Sequence, residues 1–571
     1  MNDGYRAKWN VHDKTPVEIV SKVGQLSHML VHLLYVRGYT SADSILSFLL
    51  DGDIDHDPYL MPHMRESVDL IHKHVEKNST IAVYGDFDCD GITSSALLYS
   101  VLRERFSIEP IVVVPTRREG HGLADFRIEE LKDQGVGLII TVDCGVTSIR
   151  EVDHIHRLGM DVIVTDHHEP GTTLPSCLIV NPSLPESTYP YKMLAGVGVT
   201  YKLGQALMGS RGAMSFVDDL AALGTVADVV PLRDENRSIV VRGLQKIKSR
   251  DRLGLHHLLK SSGIDIKRLD SGSLSFYVAP KINSANRMAD PITAYNLLMT
   301  KDEPEARALS KELGLLNKSR QSLLEEHFAR VASSLDKEQF EQDVLSGKRA
   351  PILIVEGDWP PGISGLIASR LSERYGVPTI CAAENEWGEI SASARSTPGV
   401  NIISIIDECT PHFKKFGGHT GAAGFICKTR SQFDDAYRCI EESARRVIDS
   451  TSAVPLMNVD AEIDLSQITS FACQQIEKLG PYGQDFPEPL FLARGIRLVD
   501  RKMMSDGKHM SATATRGWKR VRAVFFSHDL EIEMTDEDQQ FDLVFNLSMN
   551  NWGRTPEAQI MIRDWRLTEA F

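Results

Sequence analysis

Three aspartates stand at alternate positions in the segment YGDFDCDGI, residues 84–92, with no lysine or arginine among them. In extended backbone, Asp86, Asp88 and Asp90 project to the same side of the chain. Carboxylates a few ångströms apart repel each other by about 3 kcal/mol per pair at an effective dielectric constant of about 20. The crowding therefore indicates that a positive group absent from this segment, such as a metal ion, lies beside these side chains.

Further acids and two histidines interrupt or follow apolar segments elsewhere in the chain. They are Asp143 of VDCG, Asp166, His167 and His168 of VTDHH, and Asp228 of GTVADVVPL. An isolated aspartate at the end of a strand commonly caps a helix or forms a turn. Because segments far apart in sequence all contribute here, we favour a common site over a set of unrelated caps.

Carboxylates combined with one or two histidines suit Mn²⁺ or Mg²⁺. Two such ions would neutralise the repulsion between the acids. They would also clamp the attacking and leaving oxygens of a phosphoryl displacement and activate a water molecule. The residues therefore predict metal-assisted hydrolysis of a phosphoester or a phosphoanhydride.

Short apolar segments alternate with helical stretches around these acids. The predicted strands are TIAVYGD (80–86), PIVVVPT (110–116), GLIITVDCG (137–145), DVIVTDHH (161–168) and CLIVNP (177–182). This alternation predicts a parallel, doubly wound α/β sheet. In such sheets ligands bind beyond the carboxyl ends of the strands, where the acids and histidines collect.

The remaining chain divides by its patterns, and 571 residues are too many for one core. Leucines spaced by three and four predict a long connecting helix, and short alternating strands near the C-terminus predict a small barrel. We predict an α/β multidomain protein with a helical lead-in (1–60), a catalytic α/β domain (61–303), a connecting helix (304–346), a second α/β domain (347–452) and a β-barrel (453–571).

Composition limits the class of protein further. Hydrophobic residues make up 42% and charged residues 25% of the chain, as in globular proteins. No apolar run is long enough to span a membrane, and the N-terminus lacks a signal-peptide pattern, so we expect a cytoplasmic protein. The net charge of −15 excludes a basic surface over the whole molecule but leaves room for a local basic groove that binds nucleic acid.

The eight cysteines are scattered and form no CxxC pair. This spacing disfavours a disulfide framework and a structural zinc site. We therefore expect reduced thiols.

Several segments resemble known motifs. DFDCDG, VDCG, VTDHH and GTVADVVPL resemble successive motifs of the DHH phosphoesterases. The segments PTRREGHGL, LAGVGVTYKL, APKINSANRM, SASARS, FGGHTGAAGF and LGPYGQDFPEPLF are similar to those of the RecJ nucleases within that superfamily. The resemblance covers nearly the whole chain from about residue 25 onward, in the same domain order.

The resemblance implies a DHH catalytic domain with a doubly wound parallel sheet, a smaller DHHA1 domain beyond the long helix, and a C-terminal OB-fold. It implies a single-strand-specific 5′→3′ DNA exonuclease that uses two Mn²⁺ or Mg²⁺ ions in repair and recombination. The partners implied are single-stranded DNA with a 5′ end, a single-strand-binding protein and a RecQ-type helicase. We expect a monomer that does not bind membranes.

The resemblance also assigns roles to the acids and histidines. The ligands to the two ions would be Asp88, Asp90, Asp143 as the bridge, His167 and Asp228, with Asp86 a ligand or an acid that orients one. His168 would contact the scissile phosphate, and Asp166 would orient a histidine. Alternatively, His168 is only the structural neighbour of the ligand His167. Asp143, Asp228 and His168 are the predicted catalytic residues.

Other motifs would hold the strand. The resemblance puts Ser393 and Arg395 of SASARS at a terminal 5′-phosphate, with Arg117 and Arg287 as companions. Planar guanidinium groups suit a phosphate monoester, to which they donate in pairs. The glycines of FGGHTGAAGF would let the backbone approach a phosphate, to which His419 could donate, although such a turn is often only structural.

The barrel offers basic and aromatic candidates for strand contacts, any of which could instead be surface or core residues. They are Lys508, His509, Trp518, Lys519, Arg520, Arg522 and Trp552. Three residues depart from the family pattern, namely Asn286 for a usual glycine, Lys281 for arginine and Pro360 for histidine. They put substrate positioning in doubt. Arg370 either contacts backbone phosphates or pairs with an acid.

Two other functions remain open from the sequence. A DHH phosphodiesterase of short oligonucleotides or cyclic dinucleotides would share the acids, but small-substrate members lack the long helix and the barrel. A non-catalytic replication scaffold of this fold would have no reason to keep so many repelling acids together.

Overall fold

The computed structural model describes residues 8–24, 26–50, 53–385, 387–448, 456–504, 509–526, 532, 535–536, 538–550 and 556–568. Within these ranges no helix combines the length and the apolar character needed to cross a membrane.

The N-terminal segment does not stand apart as a lead-in. It contains β1 (Lys8–Val11), α1 (Val17–Lys22), α2 (His28–Val36) and α3 (Ala42–Leu50). β1 pairs in parallel with the strand Leu456–Val459. Leu33 and Leu34 of α2 lie in one core with Phe486 and Phe541 of the C-terminal region. Short amphipathic helices must bury their apolar face against another element, and here that element is the C-terminal domain.

The catalytic domain contains a five-stranded parallel sheet with helices on both faces. Its elements are α4 (Met64–Glu76), β2 (Thr80–Tyr84), α5 (Cys89–Phe106), β3 (Ile111–Val113), α6 (Asp125–Asp133), β4 (Val136–Val142), α7 (Ile149–Arg157), β5 (Asp161–Thr165), β6 (Leu178–Val180), α8 (Gly196–Met208), α9 (Asp218–Ala227), α10 (Asp234–Lys248), α11 (Leu253–Ser261), α12 (Ser271–Ser273), α13 (Ala279–Met288) and α14 (Ile292–Met299).

The strand order is β3-β2-β4-β5-β6, and all neighbours are parallel. Alternate side chains of β2 enter two different cores, Ile81 and Val83 on one face and Ala82 and Tyr84 on the other. The continuous apolar segments of the sequence are explained by this burial on both faces. The predicted doubly wound sheet is confirmed.

Two helices, not one, connect the α/β domains. α15 (Glu303–Ser334) begins at Asp302, whose side chain accepts a hydrogen bond from the Glu305 amide. Leu335 is extended, and Asp336 then caps α16 (Lys337–Leu345) by accepting from the Gln339 amide. The expectation of a single helix to residue 346 was wrong, because the leucine spacing continues through a position where an N-cap aspartate starts a new helix.

The second α/β domain has a mixed sheet. Its elements are β7 (Leu353–Glu356), α17 (Pro361–Tyr375), β8 (Thr379–Glu384), β9 (Ile390–Arg395), α18 (Ile402–Asp407), β10 (Lys415–His419), β11 (Ala422–Cys427) and α19 (Arg430–Val447). The strand order is β10-β11-β9-β8-β7. β10 is therefore an edge strand, and all five of its residues are exposed.

Two cysteines of this domain form a disulfide. Cys409, just after α18, is bonded to Cys439 of α19 with an S–S distance of 2.16 Å, while the six other cysteines are free. The expectation that all eight thiols are reduced was wrong for this pair. A separation of 30 residues gives no local signal, and the two meet only because α18 packs against α19.

The C-terminal domain contains a closed barrel. Its elements are β12 (Leu456–Val459), β13 (Ala461–Glu462), α20 (Ser470–Glu477), β14 (Phe491–Met504), β15 (His509–Arg516), β16 (Lys519–Phe526), β17 (Gln540–Asn550) and β18 (Glu557–Leu567). β14 pairs with both β15 and β17, which closes the ring β14-β15-β16-β18-β17. The predicted barrel is confirmed, and closure removes the exposed sheet edges.

The segment before the barrel docks on the catalytic domain. Arg237 of α10 donates to the carbonyls of Gly480 (2.6 Å) and Pro481 (3.1 Å). The hydroxyl of Ser271, in α12, donates to the carbonyl of Tyr482 at 2.6 Å. These buried polar contacts fix the entry of the barrel beside helices α10 and α12.

Candidate active site

The parallel sheet brings the predicted acids to one edge. Asp86 follows β2, Asp143 follows β4, and His167 follows β5, three strands that are direct neighbours. Asp228 arrives from the C-terminus of helix α9. The sheet edge thus collects residues that lie up to 142 positions apart in the sequence.

The side chains form three overlapping groups. Within each group the candidate ligand atoms lie within 4.8 Å of one another. The groups are Asp86, Asp88 and Asp143; Asp90, His167 and Asp228; and Asp143, His167 and His168. All six residues predicted as ligands are therefore brought together. We call these six the acidic cluster: Asp86, Asp88, Asp90, Asp143, His167 and Asp228.

Burial makes the acidic cluster costly without a cation. The Oδ1 atoms of Asp86 and Asp143 are buried and accept no hydrogen bond within the described part of the chain. Burial and the neighbouring carboxylates raise the pKa of Asp90 to about 7 and the pKa of Asp143 well above its usual value. Buried carboxylate oxygens and one imidazole are a donor set that fits Mn²⁺ or Mg²⁺.

Backbone amides orient two of these carboxylates. Asp88 caps α5 by accepting from the amides of Asp90 (2.9 Å) and Gly91 (3.1 Å). Asp90 accepts from the amides of Gly196 (2.7 Å) and Val197 (2.8 Å) at the start of α8. The amides at the N-terminus of a helix are free to donate, and they fix the Asp90 side chain in place.

The two adjacent histidines have different environments. The Nε2 atom of His167 is 3.2 Å from Asp143 Oδ1, and its Nδ1 atom is 3.7 Å from Asp228 Oδ2. Burial and the charge of His168 lower the pKa of His167 to about 4, so its imidazole is neutral and able to bind a metal.

The side chain of His168 is 58% exposed, and its Nδ1 atom lies 2.7 Å from Asp166. Burial would lower the pKa of His168, but the hydrogen bond to Asp166 and the charge of that carboxylate raise it to about 9. Asp166 also accepts from the amides of His167 and His168. A positioned imidazolium thus stands beside the acidic cluster.

Two residues that contact the acidic cluster or its neighbours were not predicted from the sequence. His121, in the motif PTRREGHGL, has its Nδ1 atom 3.0 Å from Asp86 Oδ2. Asn283 of α13 accepts from the Cys89 amide at 2.8 Å. The only signal for His121 was its place in a motif with glycine on either side. Asn283 lies in a helical pattern that gives no sign of this contact.

A group of arginines lies next to the acidic cluster. Arg117, Arg287 and Arg395 were predicted, and Arg320 of α15 was not. Burial and the charges of the other three arginines lower the pKa of Arg287 to about 9. The Nε atoms of Arg117 and Arg320 are buried without an acceptor among the described residues. We call these four the arginine group; their unmet donors and mutual repulsion fit an anion.

Contacts to both α/β domains hold the arginine group. Arg287 donates to the carbonyl of Gly362 in α17 at 2.6 Å, and Arg395 donates to the carbonyl of Ala394 at 2.8 Å. Ser393 lies two residues before Arg395 on β9, so both side chains point to the same face of the sheet. The arginine group thus lies between the catalytic domain and the second domain.

His419 stands at the end of the edge strand β10. Burial lowers its pKa, and so do the charges of Arg395 and His168. It is therefore within electrostatic reach of Arg395 in the arginine group and of His168 beside the acidic cluster. The structure brings this predicted residue to the same region.

The departures from the family pattern have local partners. Asn286 donates to the carbonyl of Phe87 at 2.9 Å, beside the acidic cluster, and accepts from Arg117 of the arginine group at 3.3 Å. Lys281 donates to the hydroxyl of Ser262 at 2.7 Å, a residue of neither group. Pro360 precedes α17 as its N-cap residue. Arg370 pairs with Glu325 at 2.6 Å, which supports the ion-pair alternative.

The barrel candidates are dispersed. Trp518 is 87% exposed at the turn between β15 and β16, beside Lys519. Arg520 pairs with Asp500 at 2.8 Å, while Arg522 is an exposed residue of β16. The ring of His509 packs edge-on against Phe526. Lys508 and Trp552 lie outside the described residues.

Gly196 offers a test of the geometry around Asp143. A Cβ atom at this position would lie 2.7 Å from the Cβ atom of Asp143 and nearer still to its Oδ1 atom. We expect Gly196→Ala to displace Asp143 and lower kcat by about 10²-fold, as loss of an outer contact to a metal ligand does.

The measurement is turnover, with Mn²⁺, of the single-stranded DNA that the sequence predicts as substrate. Gly314→Ala is the matched control, because nothing lies within 4 Å of a Cβ atom there. Wild-type turnover in Gly196→Ala would contradict the importance of this close contact.

Three family models match the chain in order. Residues 80–225 match the DHH family, N-terminal domain, residues 348–446 the DHHA1 domain, and residues 459–564 the RecJ OB domain. The single-stranded-DNA-specific exonuclease RecJ of Bacillus subtilis (strain 168) is 33% identical over 571 residues, which cover 99% of this chain and 71% of the relative.

Other comparisons agree. The single-stranded-DNA-specific exonuclease RecJ of Escherichia coli (strain K12) is 31% identical over 87% of this chain and 89% of its own. The crystal structure of RecJ in complex with Mn²⁺ from Thermus thermophilus is similar with a TM-score of 0.83 and 27% identity, covering 99% of this chain and 80% of that one. This chain belongs to the RecJ family of single-stranded-DNA-specific exonucleases.

Proposed function

We propose that this protein is a two-metal exonuclease that degrades single-stranded DNA from its 5′ end and releases 5′-mononucleotides during DNA repair and recombination. The observation that carries the proposal is the acidic cluster, with its orphaned buried oxygens, lying next to an arginine group with unmet donors. The first suits the metals of hydrolysis and the second suits a terminal phosphate.

The acidic cluster would hold the two Mn²⁺ or Mg²⁺ ions, and Asp143 is the carboxylate that two of its candidate ligand groups share. When bound, the ions supply an activated water and stabilise charge on the phosphate. Asp88 and Asp90 are held by backbone amides, so their oxygens need little reorganisation. His167 is neutral and contributes a ring nitrogen.

His168 acts on the scissile phosphate. Its imidazolium, held by Asp166 at 2.7 Å, donates to a phosphate oxygen and stabilises the charge that develops there. It can also deliver a proton to the leaving oxygen, which is the O3′ atom of the released nucleotide. Asp166 positions the ring and keeps it charged.

The arginine group would bind the 5′-phosphate. Arg117, Arg287 and Arg395, with Ser393 and His419, would surround the monoester dianion with donors. A phosphate site for the end of the strand, next to the acidic cluster, would admit one nucleotide per cycle. Such an end site would explain why the enzyme works from one end of the strand.

The barrel would guide the strand. Trp518 can stack on a base, and Lys519 and Arg522 can attract the phosphates, as in other OB-folds that bind single strands. These contacts are independent of sequence, which suits an enzyme that degrades any strand.

We extend the proposal to the cellular setting. The enzyme would act as a monomer in the cytoplasm on strands that a RecQ-type helicase exposes and a single-strand-binding protein covers. The support is the resemblance to enzymes that work in this way, together with a site that needs no second subunit to complete it.

The alternative is a phosphodiesterase of short oligonucleotides or cyclic dinucleotides. The acidic cluster would serve it equally well. The closed barrel, docked on the catalytic domain through Arg237 and Ser271, favours the long strand as substrate. The scaffold alternative has no support from the assembled acidic cluster.

A long single strand labelled at its 3′ end tests the function. With Mn²⁺ we expect progressive shortening of the labelled strand from the 5′ end, unlabelled mononucleotides as the first products, and faster digestion of a 5′-phosphorylated strand than of a 5′-hydroxyl strand. A duplex of the same sequence is the control and should persist. Cleavage of dinucleotides while the long strand stays intact would favour the phosphodiesterase instead.

A further inference from the structure

Helix α13, which contacts the acidic cluster through Asn283, is preceded at its N-terminus by an exposed aromatic pair. A π-helical turn, Leu274–Val278, leads directly into α13. Within it Phe276 is 76% exposed and Tyr277 is 56% exposed. π-helical turns are uncommon and frequently occur at functional sites.

A stripe of partly accessible positions runs along this helix. Val278, Ala279, Ile282 and Ala285 are buried. Phe276 is exposed, and Pro280, Asn283 and Arg287, at spacings of four, three and four, are partly buried. Residues at these spacings lie on one face of a helix. Pro280, Asn283 and Arg287 therefore share a face of α13, and Phe276 lies in the π-helical turn that directly precedes it.

The C-terminal end of the stripe lies at the candidate active site. Asn283 accepts from the Cys89 amide between the acidic residues Asp88 and Asp90, and Arg287 belongs to the arginine group. The near end is the entry to the barrel, because Ser271 donates to the carbonyl of Tyr482. A strand passing from the barrel to the acidic cluster along this helix would meet Phe276 on the way.

Helix geometry sets the distance. With a rise of about 1.5 Å per residue, Phe276 lies about 10 Å along the helix from Asn283 and about 16 Å from Arg287. That span corresponds to no more than about five nucleotides at about 3.4 Å per nucleotide of a stacked strand. A single exposed aromatic residue is ordinary on a protein surface, but one aligned with the substrate path is a candidate contact.

We propose that Phe276 is a stacking platform for one base of the bound DNA strand, within the first five nucleotides from the 5′ end, with Tyr277 flanking it. The inference rests on the proposed function. Every base has a π-face, so the contact tolerates any sequence. It would hold the strand straight between the barrel and the acidic cluster while the terminal nucleotide is hydrolysed.

Steady-state hydrolysis of 5′-phosphorylated single strands with Mn²⁺ tests the platform. We expect Phe276→Ala to raise KM about tenfold with kcat unchanged, within the range that stacking on one base supplies. Phe276→Trp should restore the wild-type KM, because it keeps an aromatic face. Trp387→Ala removes an aromatic residue of similar exposure, 63%, at the turn between β8 and β9 and should leave KM unchanged.

A scan with abasic nucleotides separates stacking from a structural role. Each of the first six nucleotides is replaced in turn by an abasic residue. For the wild type we expect KM to rise at one position, and for Phe276→Ala that position should become insensitive. Equal sensitivity of both proteins at every position, or a wild-type KM in Phe276→Ala, would overturn the inference.

The outcome also separates this inference from the proposed function. If the wild type shortens no single strand, the proposed function fails and the platform with it. If the wild type shortens strands from the 5′ end and Phe276→Ala behaves identically, only the platform fails.

Discussion

Replacing Asp143 by asparagine should lower kcat for single-stranded DNA by about 10³-fold or more. Asp143 takes part in two of the three groups of candidate ligand atoms, and its Oδ1 atom accepts no hydrogen bond from the described residues. An amide has nearly the same shape but no charge, so it would weaken both ion sites at once. Loss of an outer contact to a ligand already costs about 10- to 100-fold, and loss of a shared ligand should cost more.

The same variant should be more stable than the wild type when metal is removed. Burial raises the pKa of Asp143 well above its value in the unfolded chain, so near neutral pH the carboxylate destabilises the fold, and this cost is absent at pH values below the unfolded pKa. Asparagine removes the cost. Thermal unfolding with EDTA should show a higher Tm for Asp143→Asn, and with Mn²⁺ the wild type should gain more than the variant.

Strand binding provides the control for this prediction. The arginine group and the barrel do not depend on Asp143, so Asp143→Asn should bind a 5′-phosphorylated strand nearly as well as the wild type. Asp133→Asn, an exposed residue at the end of α6, should retain full turnover. Turnover by Asp143→Asn close to the wild-type rate would contradict the metal assignment.

The sheet could be predicted from the sequence because its strands are buried on both faces and therefore form continuous apolar segments. The apolar segment 80–86 predicted a strand, and β2 spans Thr80–Tyr84. Strand ends in a parallel sheet meet at one edge, so the meeting of Asp86, Asp143 and His167 followed from topology alone. Whether they bind metal stays a prediction until ions are measured.

Features that depend on packing between distant segments could not be predicted from the sequence. Arg320 lies on α15, where its charge fitted the polar face expected of an amphipathic helix, and only the fold brings it to Arg287. The Cys409–Cys439 disulfide likewise depends on α18 meeting α19. The break between α15 and α16 was missed for a different reason, because a capping aspartate at Asp336 is a local signal that the leucine spacing obscured.

Removing the guanidinium of Arg395 should weaken recognition of the 5′-phosphate. Arg395 lies at the end of β9, against α17, where a Cβ atom on Gly365 would come within 2.7 Å of its Nη2 atom. Gly365 thus leaves room for this side chain between β9 and α17. Hydrogen bonds to charged groups contribute about 1.5–3 kcal/mol, so we expect Arg395→Ala to lower kcat/KM on a 5′-phosphorylated strand by about 10- to 150-fold.

The matching 5′-hydroxyl strand decides whether this loss reflects the phosphate. Arg395→Ala should digest it at close to the wild-type rate, because no dianion is present to lose its partner. Arg395→Lys keeps the charge but not the paired donors, so it should recover only part of the preference. Arg438→Ala removes an exposed arginine of α19 in the same domain and should keep the wild-type preference. An equal loss on both strands would mean that Arg395 supports the fold of the pocket and not the recognition of the phosphate.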